Sequence, residues 1–218
     1  DVNTSNYLTD SEGRIIENPR FLEEKEERLK RAQRNLARKE AGSENWKHQK
    51  VKVARAFEHV ANCRLDFLHK LTTAYVEHYD TIIVEDLDVS QMNAGSRYAR
   101  SNYDAAWGLF KQLLLYKAES AGAEVVFVDP KGTTQTCANC GSHIPKEIWE
   151  RDHTCPACGF ETTRDYNAAR NILQRGLEKL DKGQVEVTPV ETGAPTLTNV
   201  SASSVVEAGS SSLVSVAN

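Results

Sequence analysis

No stretch of this 218-residue chain approaches the ~20 consecutive apolar residues of a membrane-spanning helix. The opening DVNTSN has neither the basic start nor the apolar middle of a secretory signal. These absences set the expectation of a cytoplasmic protein with no membrane partner. A basic surplus is also missing: 27 Lys and Arg face 31 Asp and Glu, for a net charge of −4. Taken whole, the chain does not carry the sign of a general polyanion binder. Cysteine is scarce, with five residues, and four of these form two pairs spaced by two residues. In a reduced compartment that pattern favours metal binding over a disulfide framework. No internal repeat is present. The chain opens on Asp1 instead of Met, which reads as the later portion of a longer protein.

The rest suits a soluble globular protein: 39% hydrophobic, 27% charged, and long enough for one or two cored domains. The acidic average conceals an asymmetry. Residues 20–55 hold twelve Lys and Arg against six Asp and Glu, a local +6, whereas the stretch after Gly183 holds Glu186, Glu191 and Glu207 and no Lys or Arg. A basic segment on an acidic chain fits a nucleic-acid face. A solvated helical hairpin fits it equally well on charge alone.

Residues 1–17 alternate around a Ser11-Glu12-Gly13 turn and predict two strands. Asn18-Pro19 predicts a helix start, as N-cap and first-turn proline, for a helix reaching about Lys39. Ser43 is the expected N-cap of a second helix, to about His78, with Val53, Phe57, Val60, Ala61, Leu68, Leu71 and Tyr75 on its apolar face. Two long helices with a short break predict an antiparallel hairpin. Thr81–Glu85 and Glu124–Asp129 read as buried strands, with a polar loop at 92–101 and a helix over 103–121 capped by Gly122 between them. A last helix is expected over 165–180, on Ala168, Ala169, Ile172, Leu173 and Leu177, and a disordered tail of Ser, Thr, Val and Gly after it. The order of elements is that of a mixed α/β domain with a small inserted module.

That module is Cys137-x2-Cys140, fourteen residues, then Cys155-x2-Cys158. Thiolates two apart on a tight knuckle can share one tetrahedral ion, and Gly141 and Gly159 stand where each knuckle needs glycine. Four protein ligands leave no open coordination position, so a structural Zn2+ is expected; an iron site or a redox pair are the rivals. His143 and His153 read as solvated loop histidines, and Cys63 as a small buried helix residue.

Three acids occupy element ends: Asp1 at the first strand, Glu85 closing TIIVE, and Asp165 opening the last helix. Brought together, they would repel one another unless a cation neutralised them, and hard oxygen ligands favour Mg2+ or Mn2+. Such ions could activate water and stabilise the leaving oxygen in phosphodiester hydrolysis. Taken singly, each acid reads as a surface residue, and Asp165 as a mere N-cap.

The Asp-led first strand, VEDL, VDPKGTTQTCANCG, CPACG and RDYNAARNI, in this order, resemble the TnpB proteins of the OrfB class. These are transposon-associated relatives of type V CRISPR effectors. The likeness covers roughly residues 1–180. It implies an α/β, RNase H-like (RuvC-like) mixed sheet carrying a long helical hairpin insertion and an inserted zinc ribbon. By position, Asp1, Glu85 and Asp165 would be catalytic and hold Mg2+ or Mn2+, while Cys137, Cys140, Cys155 and Cys158 would hold zinc. The implied layout is a nuclease domain at 1–135 with its hairpin at 19–79, the ribbon at 136–160, the final nuclease helix at 161–182 and the tail at 183–218. The resemblance also implies DNA as substrate and, in the full-length family context, a guide RNA. The family's N-terminal lobe has no counterpart in this chain. The expected activity is a transposase-family, RNA-guided DNA endonuclease; the alternative is a catalytically inactive nucleic-acid-binding fragment with a structural zinc ribbon. A third reading makes the hairpin a protein-binding surface.

Overall fold

The computed structural model describes residues 2, 6–88, 105–147 and 149–183. Asp1, the polar loop at 92–101 and the expected tail from 184 onward lie outside the described residues.

Strands β1 (Asn6–Thr9) and β2 (Ile15–Glu17) pair antiparallel, Leu8 opposite Ile16, with a bulge between Asn6 and Leu8. The turn between them is organised by Asp10. Its carboxylate accepts from the Glu12 and Arg14 amides and from the Arg14 guanidinium at 2.9–3.0 Å. Gly13, at φ 84°, supplies the left-handed step. The hydroxyl of Tyr75 donates to the same carboxylate at 3.2 Å, tying the turn to a helix far along the chain.

Helix α1 (Phe21–Ala37) begins later than Asn18-Pro19 predicts. Arg20 takes a left-handed conformation, φ 48°, and the Asn18 side chain accepts from the Arg20 amide at 3.1 Å. Asn18 therefore shapes a turn ahead of the helix, and the start is fixed by burial of Phe21 against Phe67, ring centroids 6.0 Å apart. Helix α2 (Glu44–His78) is capped as expected, the Ser43 hydroxyl accepting from the Trp46 amide at 3.2 Å. Its apolar face differs from the expectation. Val60, Phe67, Leu68, Leu71, Tyr75 and Val76 are buried, while Phe57 is 47% exposed and Val51 is 50% exposed. The cause is the length mismatch of the hairpin. Among the described residues the C-terminal half of α2 supplies its share of the main core, with Phe67 against Tyr7 of β1, while its N-terminal half runs along the highly charged α1, for example through Gln49 donating to the Ala32 carbonyl at 3.0 Å.

Strand β3 (Thr81–Glu85), helix α3 (Trp107–Ala121) and strand β4 (Glu124–Val128) follow. β3 and β4 pair parallel, Thr81 opposite Glu124 through Glu85 opposite Val128, as a crossover through a helix requires. Gly122 ends α3 at φ 77° as expected, and Lys117 pins α3 to α2 through the His69 carbonyl and Thr73 hydroxyl, both at 2.5 Å. Both strands are only partly buried, Ile82, Val126 and Val128 being their fully buried positions. A small hairpin, β5 (Asp152–Thr154) with β6 (Glu161–Thr163), leads directly into helix α4 (Arg164–Gly183).

Among the described residues the strands form three two-stranded sheets, not the one mixed sheet expected. A cavity of about 410 Å³ lies between the β1–β2 and β3–β4 pairs, lined by Leu8, Ile82, Val84, Phe110 and Leu114, with Glu85 at its wall. The main core joins Tyr7, Phe67, Leu68, Trp107, Phe110 and Leu114. A second cluster joins Ile172 and Leu180 of α4 to Val126 and Val128 of β4. Leu173 and Leu177, expected on that face, are more than a third exposed.

The approach of α4 to β3 is fixed by Gly176. A Cβ there would overlap the Ile83 side chain at three of its carbons, so helix and strand sit closer than any larger residue allows. Alanine is favoured over glycine inside a helix by about 1 kcal/mol, but overpacking costs typically about 1–3 kcal/mol and here three atoms must move at once. The overlap therefore wins. Gly176→Ala is expected to lower stability in urea unfolding and Gly176→Val to lower it further; a gain in stability for the alanine variant would contradict the packing.

Candidate functional site

The four paired cysteines converge. Cys137 and Cys140 lie on the knuckle that follows β4, and Cys155 and Cys158 lie between β5 and β6. The Gly141 amide donates to the Cys137 carbonyl at 2.8 Å and the Gly159 amide to the Cys155 carbonyl at 2.9 Å, with both glycines at positive φ. The sulfurs of Cys137 and Cys158 are 3.8 Å apart and those of Cys140 and Cys155 3.6 Å apart, and all four lie within 4.8 Å of one another. A tetrahedron with metal–sulfur bonds of about 2.3 Å has edges of about 3.8 Å, so the cage matches one thiolate-bound ion in size. Hydrogen bonding with Ser142 draws the Cys140 thiol down to about 6, and the Asn139 amide beside Cys158 lowers that thiol as well. Burial pushes Cys155 up to about 11. A cation entering the cage would bind thiolates and release the protons that remain. None of the five cysteines is bridged.

The neighbouring histidines separate. His143 is exposed, as expected. His153 is not a solvated loop residue: it sits in β5 at 0% exposure, packed on Phe160 with ring centroids 6.0 Å apart. Neither ring nitrogen finds a hydrogen-bond partner among the described residues. Burial first, then Lys146, lowers its pKa, so it packs as a neutral ring inside the hairpin. The strand alternation of Asp152-His153-Thr154, short as it is, was the available signal. Cys63 is half-buried at the edge of the main core, with its sulfur 3.8–4.0 Å from the His59 ring and apart from the cysteine cluster.

Two of the three expected carboxylates fall within the described residues. Glu85 ends β3, and its Oε1 is buried with no hydrogen-bond partner among the described residues. Burial raises its pKa above the ordinary carboxylate range; the Asp165 charge adds to the rise and Arg175 opposes it. Asp165 is therefore near enough for its charge to be felt at Glu85, although eighty positions separate them in sequence. Its side chain is 13% exposed, between the Arg164 guanidinium at 3.5 Å and that of Arg151 at 3.9 Å. Asp165 does not cap α4. The Thr163 hydroxyl accepts from the Tyr166 amide at 3.3 Å, which leaves the Asp165 carboxylate turned to other partners. Asp86, adjacent to Glu85, is taken up by Lys111 at 2.6 Å.

A buried carboxylate oxygen without a donor, within electrostatic reach of a second carboxylate, is costly as the charged form, and a cation held between the two would relieve that cost. Both groups offer hard oxygen ligands, which suit Mg2+ or Mn2+. Three polar residues of this region escaped the sequence reading: Asn171 and Arg175 entirely, and Asn167 in its role. The Arg175 guanidinium donates to the Asp129 carbonyl at 2.6 Å and holds positive charge near Glu85. The four-residue spacing of 167, 171 and 175 was the signal that they share a helix face.

The sign of the Glu85 effect on stability follows from its raised pKa. In the unfolded chain the carboxyl releases its proton at lower pH than in the folded one, so stability falls as pH rises through that interval. Above it the buried charge is a standing penalty. Without divalent cations, Glu85→Gln is therefore expected to raise the Tm at about pH 7 and to leave it unchanged near pH 4, where both forms are neutral. An equal or lower Tm for the variant at neutral pH in chelator would contradict the penalty assigned to the buried Oε1.

Comparison with known proteins gives the following. Residues 1–94 match the family model described as "Probable transposase" (OrfB_IS605), and residues 107–172 match "Cas12f1-like, TNB domain". A protein of Streptomyces pristinaespiralis named "Putative RNA-guided DNA endonuclease" is 38% identical over 181 residues, covering 81% of this chain and 44% of the relative. InsQ of Escherichia coli, which bears the same designation, is 35% identical over 212 residues, covering 89% and 52%. The CRISPR-associated endodeoxyribonuclease Cas12f1 of Sulfoacidibacillus thermotolerans is 33% identical over 154 residues, covering 65% and 35%. The chain spans about half the length of the first two relatives. In fold it is similar to Cas12f1 in a solved Cas12f1–sgRNA–target DNA complex, with a TM-score of 0.50 at 19% identity over 72% of this chain and 42% of the other. By both family models and by these relatives, the chain belongs to the TnpB/OrfB-type family of transposon-associated proteins.

Proposed function

We propose that this chain is the RuvC-like, metal-dependent DNA endonuclease part of a TnpB/OrfB-type protein. The observation that carries the reading is the buried, unpartnered Glu85 oxygen within electrostatic reach of Asp165. Glu85 and Asp165, joined by Asp1, hold Mg2+ or Mn2+ through their carboxylate oxygens. A bound divalent cation there supplies Lewis acidity and a water of lowered pKa for phosphodiester hydrolysis. Glu85 arrives on the end of a strand and Asp165 on the first turn of a helix, so both backbones are rigid. Arg151, Arg164 and Arg175 surround the pair with positive charge, suited to a phosphate oxygen once the carboxylates are neutralised.

Cys137, Cys140, Cys155 and Cys158 hold a structural Zn2+, since four protein sulfurs leave no position for substrate. The nuclease domain comprises 1–135 and the final helix 161–182, with the ribbon inserted at 136–160. DNA is the substrate, and guide RNA is a partner in the full-length context, as the relatives' names indicate. Pairing with the guide then reads sequence, and protein contacts hold backbone and single strand. The basic residues of the hairpin are placed for such contacts: Arg28, Arg31, Arg34, Lys50, Lys52 and Arg55 are all exposed. No helix among the described residues is long and apolar enough to cross a membrane. Those exposed basic residues also favour a second reading, a nucleic-acid-binding piece with the zinc ribbon and no activity.

One experiment separates the two. Asp165→Ala in the full chain is expected to abolish Mg2+-dependent cleavage of single-stranded DNA, a loss on the order of 10³-fold or more, with circular dichroism and DNA binding retained. Equal cleavage by parent and variant would overturn the assignment; binding without cleavage by the parent would establish the second reading.

A further inference from the structure

The helix that carries Asp165 is attached to the two cysteine knuckles in different ways. The second knuckle is continuous with it, since Cys158 is followed by β6 and then by Arg164. The first knuckle has no such link, and two asparagines take its place. Asn167 is 0% exposed; its Oδ1 accepts from the Ala138 amide at 2.9 Å, between the two knuckle cysteines. Its Nδ2 donates to the carbonyls of Thr136 at 2.7 Å and Thr133 at 3.3 Å. One turn on, the buried Asn171 donates to the same two carbonyls at 2.7 and 2.8 Å. The pattern continues at four-residue steps, Arg175 donating to the Asp129 carbonyl at 2.6 Å and Lys179 to the Phe127 carbonyl at 2.9 Å. Thus 167, 171, 175 and 179 form a ladder on one face of α4, gripping the backbone that runs from β4 into the first knuckle.

We propose that Asn167 and Asn171 are positioning residues that couple the cysteine ribbon to the placement of Asp165. The chemistry of the primary amide is what the position needs. Only a side chain with an acceptor and donors on one short planar group can take the Ala138 N–H and serve two carbonyls together. Aspartate would keep the acceptor but set a charge against two carbonyl oxygens; an apolar residue would leave the Ala138 N–H unpaired and the Thr133 and Thr136 carbonyls with Asn171 alone as side-chain donor. With a metal in the cysteine cage, both knuckles are fixed to each other, and Asn167 closes the circuit two residues from Asp165. Without it, the first knuckle is free to move and pulls on the first turns of α4 through Asn167. The helix end carrying Asp165 therefore keeps its position relative to Glu85 only while the ribbon is loaded. The last step alone rests on the nuclease reading above.

The test is amide hydrogen exchange of the full chain, parent against Asn167→Asp and Asn171→Ala, with zinc and after its removal by chelator. Zinc removal in the parent is expected to speed exchange over 166–170 as well as in the knuckles, leaving 174–180 protected. Zinc-loaded Asn167→Asp should already show the faster exchange over 166–170, on the order of 10-fold, while its Co2+-substituted form keeps the parental thiolate absorption. Asn171→Ala should show a smaller change in the same place, and decides the question if Asn167→Asp does not fold. The proposal is overturned if the parent's 166–170 exchange ignores zinc, if both variants keep parental protection, or if exchange rises evenly along α4, as a loss of general stability would make it. Should exchange follow the coupling while Asp165→Ala cleaves DNA as the parent does, the coupling stands and the nuclease assignment falls.

Discussion

The seating of α4 on the β3–β4 pair is the constraint on which the rest of the site depends. Ile172 and Leu180 meet Val126 and Val128, and Gly176 lets the helix reach Ile83. The buried apolar area drives the contact at roughly 25 cal/mol per Å², but that attraction is indifferent to register. Register comes from Gly176, which admits close approach at one place, and from the side chains at 167, 171, 175 and 179, which match particular carbonyls. With the helix so fixed, its first turn presents Asp165 toward the end of β3, where Glu85 stands.

The same contact sets the Asp165 charge within reach of Glu85. The Glu85 Oε1 is buried and has no hydrogen-bond donor among the described residues, and its charged form is disfavoured by burial first and by Asp165 in addition, against Arg175. A perturbed carboxylate beside a second one marks a candidate functional site. The cysteine cage is the opposite case: its sulfurs face one another at a spacing that one thiolate-bound ion would fill. On the proposed reading the two sites would differ in ligand chemistry, soft sulfur against hard oxygen, and would select different ions.

Much of this was legible in sequence because it is local. The Cys-x2-Cys-Gly spacing, the Ser43 and Gly122 caps, the two strands flanking α3 and the acids at element ends all depend on neighbours within a turn or a strand. What was not legible depends on partners far away. Phe57 has the helical spacing of a core residue, yet it lies on the half of α2 away from the main core and stays exposed. His153 is buried because β5 and β6 fold over it. Asn18-Pro19 has the chemistry of a helix start, but burial of Phe21 moves the start. Asn167 and Asn171 carry no signal of their targets, which lie some thirty residues upstream in irregular backbone. Element order predicts a mixed α/β domain, which the structure has; the one mixed sheet is implied by the resemblance, and among the described residues the strands form three two-stranded sheets, with a cavity between the β1–β2 and β3–β4 pairs.

The account stands or falls on whether Glu85 and Asp165 share a divalent cation. Manganese binding to the zinc-loaded full chain, followed by electron paramagnetic resonance, tests this directly. Bound Mn2+ should be largely lost in Glu85→Gln and in Asp165→Asn alike, with zinc content unchanged. Mn2+ binding of parental strength in both variants would contradict the account.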